Sequence, residues 1–235
     1  SPQRCQSPRS PMKGSHDRRP LSLKNIGWGV SSSSASGSLL SKDKAADIDA
    51  TARSVVSELN LSLDNRSEME CLAALTRLHQ YHAEDFRYYQ DCLGREGACK
   101  AVSVVLTLFS ASTRICLETV KAISLLCQHG DSTRDTFHTE NAEELGGHGT
   151  CFSVIRILSS STHVSNAELV EETCRAIGKL SISENNNKTM TNGGCCETLI
   201  GLLKGDGEDK NAVVSQAVIA LRHMSEKEET MAHCV

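Results

Sequence analysis

One nine-residue frame recurs four times along the chain, and it constrains the fold more than any other feature. The frame is E/Q-x-x-x-A-[LI]-x-x-[LM]. Its copies are ECLAALTRL from Glu70, ETVKAISLL from Glu118, ETCRAIGKL from Glu172 and QAVIALRHM from Gln216, at steps of 48, 54 and 44 residues. A second piece recurs between them: glycine, then an apolar run. Its copies are GACKAVSVVLTL from Gly97, GTCFSVIRIL from Gly149 and GCCETLIGLL from Gly194, at steps of 52 and 45. Two markers drifting in parallel indicate one supersecondary unit repeated along the chain.

The unit is helical by its spacing. Ile48, Ala52, Val55, Val56 and Leu59 recur at three- and four-residue steps. So do Cys71, Ala74, Leu75 and Leu78, and so do Ile115, Thr119, Ala122, Ile123 and Leu126. All four prolines fall at positions 2, 8, 11 and 20, so nothing from Leu21 onward breaks a helix in proline's way. Residues 1–41, with SSSSASGS at 31–38, carry too little apolar surface to offset the entropy of ordering and are expected to be a disordered basic arm. Ser7-Pro8 and Ser10-Pro11 in that arm match proline-directed phosphorylation sites, whose modification would lower its positive charge.

Composition excludes several classes of function. The net charge is −4 and aromatics make up 3% of 235 residues, so neither phosphate neutralisation nor base stacking is well served, and nucleic acid is not expected as a partner. The longest apolar run, Ala101 to Phe109, is too short for a membrane span. Eleven cysteines, an odd number without C-x-x-C spacing, suggest reduced, buried thiols in an intracellular protein, cytoplasmic or nuclear. The sequons at Asn60, Asn65 and Asn187 are then chance. No signal-peptide pattern opens the chain. It begins with Ser and ends within an expected helix, as a fragment would.

No chemistry-bearing motif gathers. His79 and His82 are three apart without a fixed third ligand, and read as surface histidines. Cys127 and His129 are equally unsupported, and adjacent Cys195 and Cys196 diverge on a helix. Gly146, Gly147 and Gly149 follow acidic Glu143 and Glu144 and read as an inter-helix break, not a phosphate cradle. Gly205 to Asp209 lacks the calcium-loop ligand pattern. Neither a nucleophile elbow nor a dinucleotide or phosphate loop is present. The expectation is a non-catalytic protein without metal or cofactor.

With those residues in view, the chain resembles the armadillo repeat family. The best copy spans 184–224: ENNNKTMTNGGCCETLIGLL, an acidic loop GDGEDKN, then AVVSQAVIALRHM. The resemblance implies an all-α, right-handed α-solenoid. A helical lead-in and partial repeat would occupy 42–80, three repeats 81–225 (about 81–127, 128–181 and 182–225), and the truncated start of another 226–235. The related HEAT repeat is the alternative, since the proline common near the second armadillo helix is missing.

The resemblance also implies a binding groove lined by third helices, where family members that hold extended peptides carry Trp and Asn four residues apart. The matching positions here are Ala73/Arg77, Lys121/Leu125, Arg175/Lys179 and Ile219/His223. None is Trp or Asn. They form a basic ladder instead: Arg77, Lys121, Arg175, Lys179 and His223, with Arg222 adjacent. The reading is a protein–protein interaction scaffold or adaptor that receives a protein or peptide segment of acidic character on these six residues. Two alternatives stand beside it. One is a nuclear transport receptor-like carrier, which the missing Trp/Asn ladder disfavours. The other is an ordinary solvated face with Glu118–Lys121 and Glu172–Arg175 pairing within their helices.

Overall fold

The computed structural model describes residues 41–80, 86–128, 137–204 and 211–226. The expected disordered arm, apart from Ser41, and the expected truncated start, apart from Glu226, lie outside these residues. So do His82, His129, the Gly205–Asp209 loop and both Ser-Pro pairs.

Helix starts are set by local chemistry of two kinds. Ser41, Ser67, Asn166 and Ser183 are extended residues whose side-chain oxygens accept the backbone N–H three positions on, capping α1 (Lys42–Asp64), α2 (Glu68–His79), α8 (Ala167–Leu180) and α9 (Glu184–Asn192). The recurring glycines do something different. Gly97, Gly149 and Gly194 have φ of 88°, 83° and 79°, a left-handed conformation that side chains with a Cβ resist. Each turns the chain sharply from one helix into the next. They join α3 (Phe86–Arg95) to α4 (Ala98–Leu108), α6 (Phe137–Gly147) to α7 (Thr150–Ser159), and α9 to α10 (Cys195–Leu203). Each of these triplets closes with a longer helix: α5 (Thr113–Leu126), α8 and α11 (Asn211–Ser225).

The triplets stack by one repeated displacement. The longer helices pack in the order α2, α5, α8, α11; the second helices in the order α1, α4, α7, α10; the first helices in the order α3, α6, α9. No strand occurs among the described residues. Three helices per unit distinguish this arrangement from two-helix HEAT units. The result is an all-α solenoid of armadillo type, as expected from the recurring frame.

The frame is the seam of the stack. Its four alanines, Ala74, Ala122, Ala176 and Ala220, are all buried, as are Leu75, Ile123, Ile177, Leu78, Leu126, Leu180 and Met224. Small alanines let neighbouring helices approach, and their long partners fill the space left between units. One continuous cluster runs from Ile48 to Met224 and no unit closes a core of its own, so stability is a sum over neighbours.

Buried side-chain amides stitch the units as well. The Leu126 carbonyl at the end of α5 accepts Gln90 Nε2 at 2.6 Å and, from the next unit, Asn141 Nδ2 at 3.0 Å. The Leu180 carbonyl ending α8 accepts Asn186 Nδ2 at 3.2 Å, and Met224 O accepts Asn187 Nδ2 at 2.9 Å. Helix C-termini leave carbonyls without intrahelical partners, and these amides satisfy them in the interior. Asn187 is 1% exposed, so its sequon is inaccessible in the folded chain.

The break expected across Gly146, Gly147 and Gly149 is narrower than its sequence suggests. Only Gly149 is left-handed; Gly146 and Gly147 remain in α6. Gly146 is small for another reason: a Cβ there would fall on Asn186 Oδ1.

Candidate functional site: the third-helix face

The six residues of the expected ladder lie on α2, α5, α8 and α11, but their electrostatic circumstances differ. Arg77 on α2 pairs with Glu58 of α1. Lys121 on α5 lies 3.4 Å from Glu118 and 2.8 Å from Glu168, the latter in the first turn of α8. Burial works to lower the Lys121 pKa, but the bonds and charges of Glu168 and Glu118 outweigh it and raise it. Arg175 on α8 reaches Glu171 at 2.9 Å and Glu172 at 2.7 Å. Glu172 is pushed up by burial, with Arg175 opposing. Arg222 pairs with Glu226 at 3.2 Å from an exposed position.

Two members are placed otherwise. Lys179 has no ion-pair partner among the described residues. His223 on α11 turns its Nδ1 to the Gly178 carbonyl at 3.2 Å. The two helices bring these side chains to a common place. A cleft of about 310 Å³ is walled by Gly178, Lys179, Ser181, Ile182, His223 and Glu226, with Cys127 at its edge. A neighbouring one of about 260 Å³ adds Arg175, Gln216 and Ile219 to the shared Gly178, Lys179 and His223. So Arg175, Lys179 and His223 converge, whereas Arg77, Lys121 and Arg222 border neither cleft. The in-helix pairs Glu118–Lys121 and Glu172–Arg175 both form, which trims the field expected from a bare basic row.

Gly178, Gln216, Ser181 and Ile182 were not singled out by sequence. Gly178 did carry a signal. It stands inside ETCRAIGKL where the other three copies of the frame have Thr76, Ser124 and Arg222. A glycine in a helix interior costs about 1 kcal/mol relative to Ala, which a packing or binding role can offset.

His79 is not the surface histidine expected. Its side chain is 20% exposed and its Nε2 lies 3.0 Å from the Glu118 carbonyl and 3.6 Å from the Glu118 carboxylate, tying α2 to α5. No group of three or more metal-ligating side chains gathers among the described residues.

The expected burial of the thiols holds among the described residues. All nine described cysteines are buried, and none of them forms a disulfide there. The arrangement nearest to a reactive one joins Cys92 Sγ to Asp49 Oδ1 at 2.9 Å, with Tyr88 and Arg95 on the same carboxylate. Burial first, and Asp49 second, push the Cys92 thiol up to about 12, so it stays protonated. Burial likewise raises Cys116 and Cys151 to about 11. Thiolate is the reactive form, so these cysteines should resist iodoacetamide at about pH 8 in the native protein and react on unfolding. Residue-resolved mass spectrometry reads this, and native-state alkylation of Cys92 would contradict it.

No described helix is long and apolar enough to cross a membrane. No protein-family model matches the chain, and no curated protein matches it. Solved structures do. A designed armadillo repeat protein, determined in complex with the peptide (KR)4, is 17% identical with a TM-score of 0.58, over 82% of this chain and 79% of that one. An engineered protein from a structural genomics consortium is 15% identical with a TM-score of 0.50, over 82% and 76%. At such identities the likeness concerns fold. It agrees with the helix ladders in defining an armadillo-like repeat architecture with degenerate repeats.

Proposed function

We propose that this chain is a non-catalytic interaction scaffold that receives an acidic protein segment along its third-helix face. The observation that carries the reading is the convergence of Arg175, Lys179 and His223 on adjoining clefts between α8 and α11, with Lys179 free of any ion pair among the described residues. A lysine left unpaired beside a cleft, with an arginine whose fork still has donors to share, favours a carboxylate-bearing partner. Ile182 and Ile219 in the walls add apolar contact. The fold supports the reading more generally, since an armadillo-like neighbour was solved with a peptide, (KR)4. That peptide is basic; the cations gathered here call for the opposite sign.

The test uses two fluorescein-labelled octapeptides, one alternating Asp and Leu and one alternating Lys and Leu. The acidic peptide should bind, and the double reversal R175E/K179E should weaken it by about tenfold or more while circular dichroism is unchanged. A preference for the basic peptide would overturn the proposal in favour of the carrier-like alternative.

A further inference from the structure

The two clefts between α8 and α11 share a wall residue that has no side chain. Gly178 lines both, and it sits in the interior of α8, where glycine weakens a helix. Its backbone is not left-handed, so no turn requires it. A Cβ at 178 would lie 3.2 Å from His223 Nδ1 and 3.6 Å from the Ala220 Cα, in the space the clefts share. Immediately next to that notch stands Lys179.

His223 adds a protonation state. The Gly178 carbonyl can only accept, so the His223 Nδ1 3.2 Å away carries the proton. In the neutral ring Nε2 is then a bare acceptor, with no partner among the described residues, and it repels an anion. Once protonated, the same atom becomes a donor on a cation. The charged groups around it are Lys179 and Arg175 from α8, and Arg222 and Glu226 from its own helix end. Cys127 from the end of α5 is a thiol that burial keeps neutral. Arg175 is engaged by Glu171 and Glu172, and Glu226 by Arg222, which leaves Lys179 and His223 as the pair facing the notch without a partner charge among the described residues.

From this we infer that the Gly178 notch is the anchoring subsite for a single carboxylate side chain of the partner segment, clamped between Lys179 Nζ and protonated His223, so that binding tightens as pH falls. The inference rests on the scaffold reading above and specifies its chemistry. It makes Gly178 a specificity residue: helix stability is given up there for an opening.

The experiment measures anisotropy of the labelled Asp–Leu octapeptide at about pH 7.5 and 5.5, where its carboxylates stay mostly ionised. Wild type should bind several-fold more tightly at the lower pH, because a carboxylate seated against the His223 ring favours its protonated form. H223N, whose amide nitrogen stands where Nδ1 does and can still donate to Gly178 O, should bind with little pH dependence. G178A should bind about tenfold more weakly at the lower pH, at an unchanged or higher Tm, because alanine fills the notch yet suits the helix. Nuclear magnetic resonance of the His223 ring nitrogens at the lower pH, with and without peptide, reads its protonation directly. If the octapeptide binds and R175E/K179E weakens it, but G178A and H223N behave as wild type, the notch is overturned and the scaffold reading stands. If wild type binds no acidic peptide at either pH, both are overturned.

Discussion

Gly146→Ala should destabilise the fold by about 3 kcal/mol, while the same change at the next residue, Gly147→Ala, should be neutral or stabilising. The two glycines are adjacent in α6, and neither is left-handed. What differs is the space around them. A Cβ at 146 would coincide with the Asn186 amide, whereas at 147 it would meet nothing within 4 Å. Asn186 cannot retreat freely. Its Nδ2 bonds the Ala142 carbonyl at 2.6 Å and the Leu180 carbonyl at 3.2 Å, and the residue is 3% exposed. Displacing it breaks both bonds and leaves the buried Asn186 amide short of acceptors, a loss of about 1–3 kcal/mol in addition to strain. At 147 alanine only removes glycine's helix penalty, up to about 1 kcal/mol. Urea titrations of both variants check this. Asn186→Ala in the Gly146→Ala background should cost less than the sum of the single changes, because both act through one contact. Equal behaviour of the two glycine variants would refute the account.

Ile177→Ala should cost about 3 kcal/mol, and the loss should be spatially lopsided. Ile177 is fully buried in the seam, on the helix that packs against both α5 and α11. A repeat array is held by neighbour contacts, so weakening one junction lets the units beyond it open separately. Hydrogen exchange should therefore speed up more in α9, α10 and α11 than in α1, α2 and α4. The matching change Leu221→Ala, in the same frame position of the last described copy, should cost less than half as much. Leu221 is only partly buried, so its removal leaves a smaller cavity. Uniform acceleration across all helices would mean that the chain unfolds as one unit and not as stacked ones.

Much of the fold was legible in the residues. The nine-residue frame identified the seam because burial at three- and four-residue steps leaves an apolar stripe that sequence alone displays. Gly97, Gly149 and Gly194 were legible for a different reason: left-handed backbone favours glycine, and the same selection recurs at each turn from a first helix into a second, although Arg66 between α1 and α2 also has a positive φ, of 49°. The candidate site was only half legible. The six cations could be placed on the third helices by register, and Glu118 and Glu172 named as in-helix partners, but partners on other helices could not. Glu58 and Glu168 neutralise Arg77 and Lys121 from other helices, and no spacing along the chain encodes those approaches. His79 was misjudged for the same reason, since its bond is to a residue 39 positions away.

The sequence by itself determined that the chain forms repeated helices with a shared apolar seam and left-handed glycine turns. These are local and periodic requirements, satisfied within a few residues of where they are written. Only the tertiary structure decided which of the six cations lacks an ion pair among the described residues, that Asn186 and Asn141 reach the carbonyl ends of neighbouring helices, and that Gly178 opens a notch beneath His223. Each depends on separate helices, up to 45 residues apart along the chain, meeting at ångström range, where a missing methyl or a nearby carboxylate reverses what a residue can do.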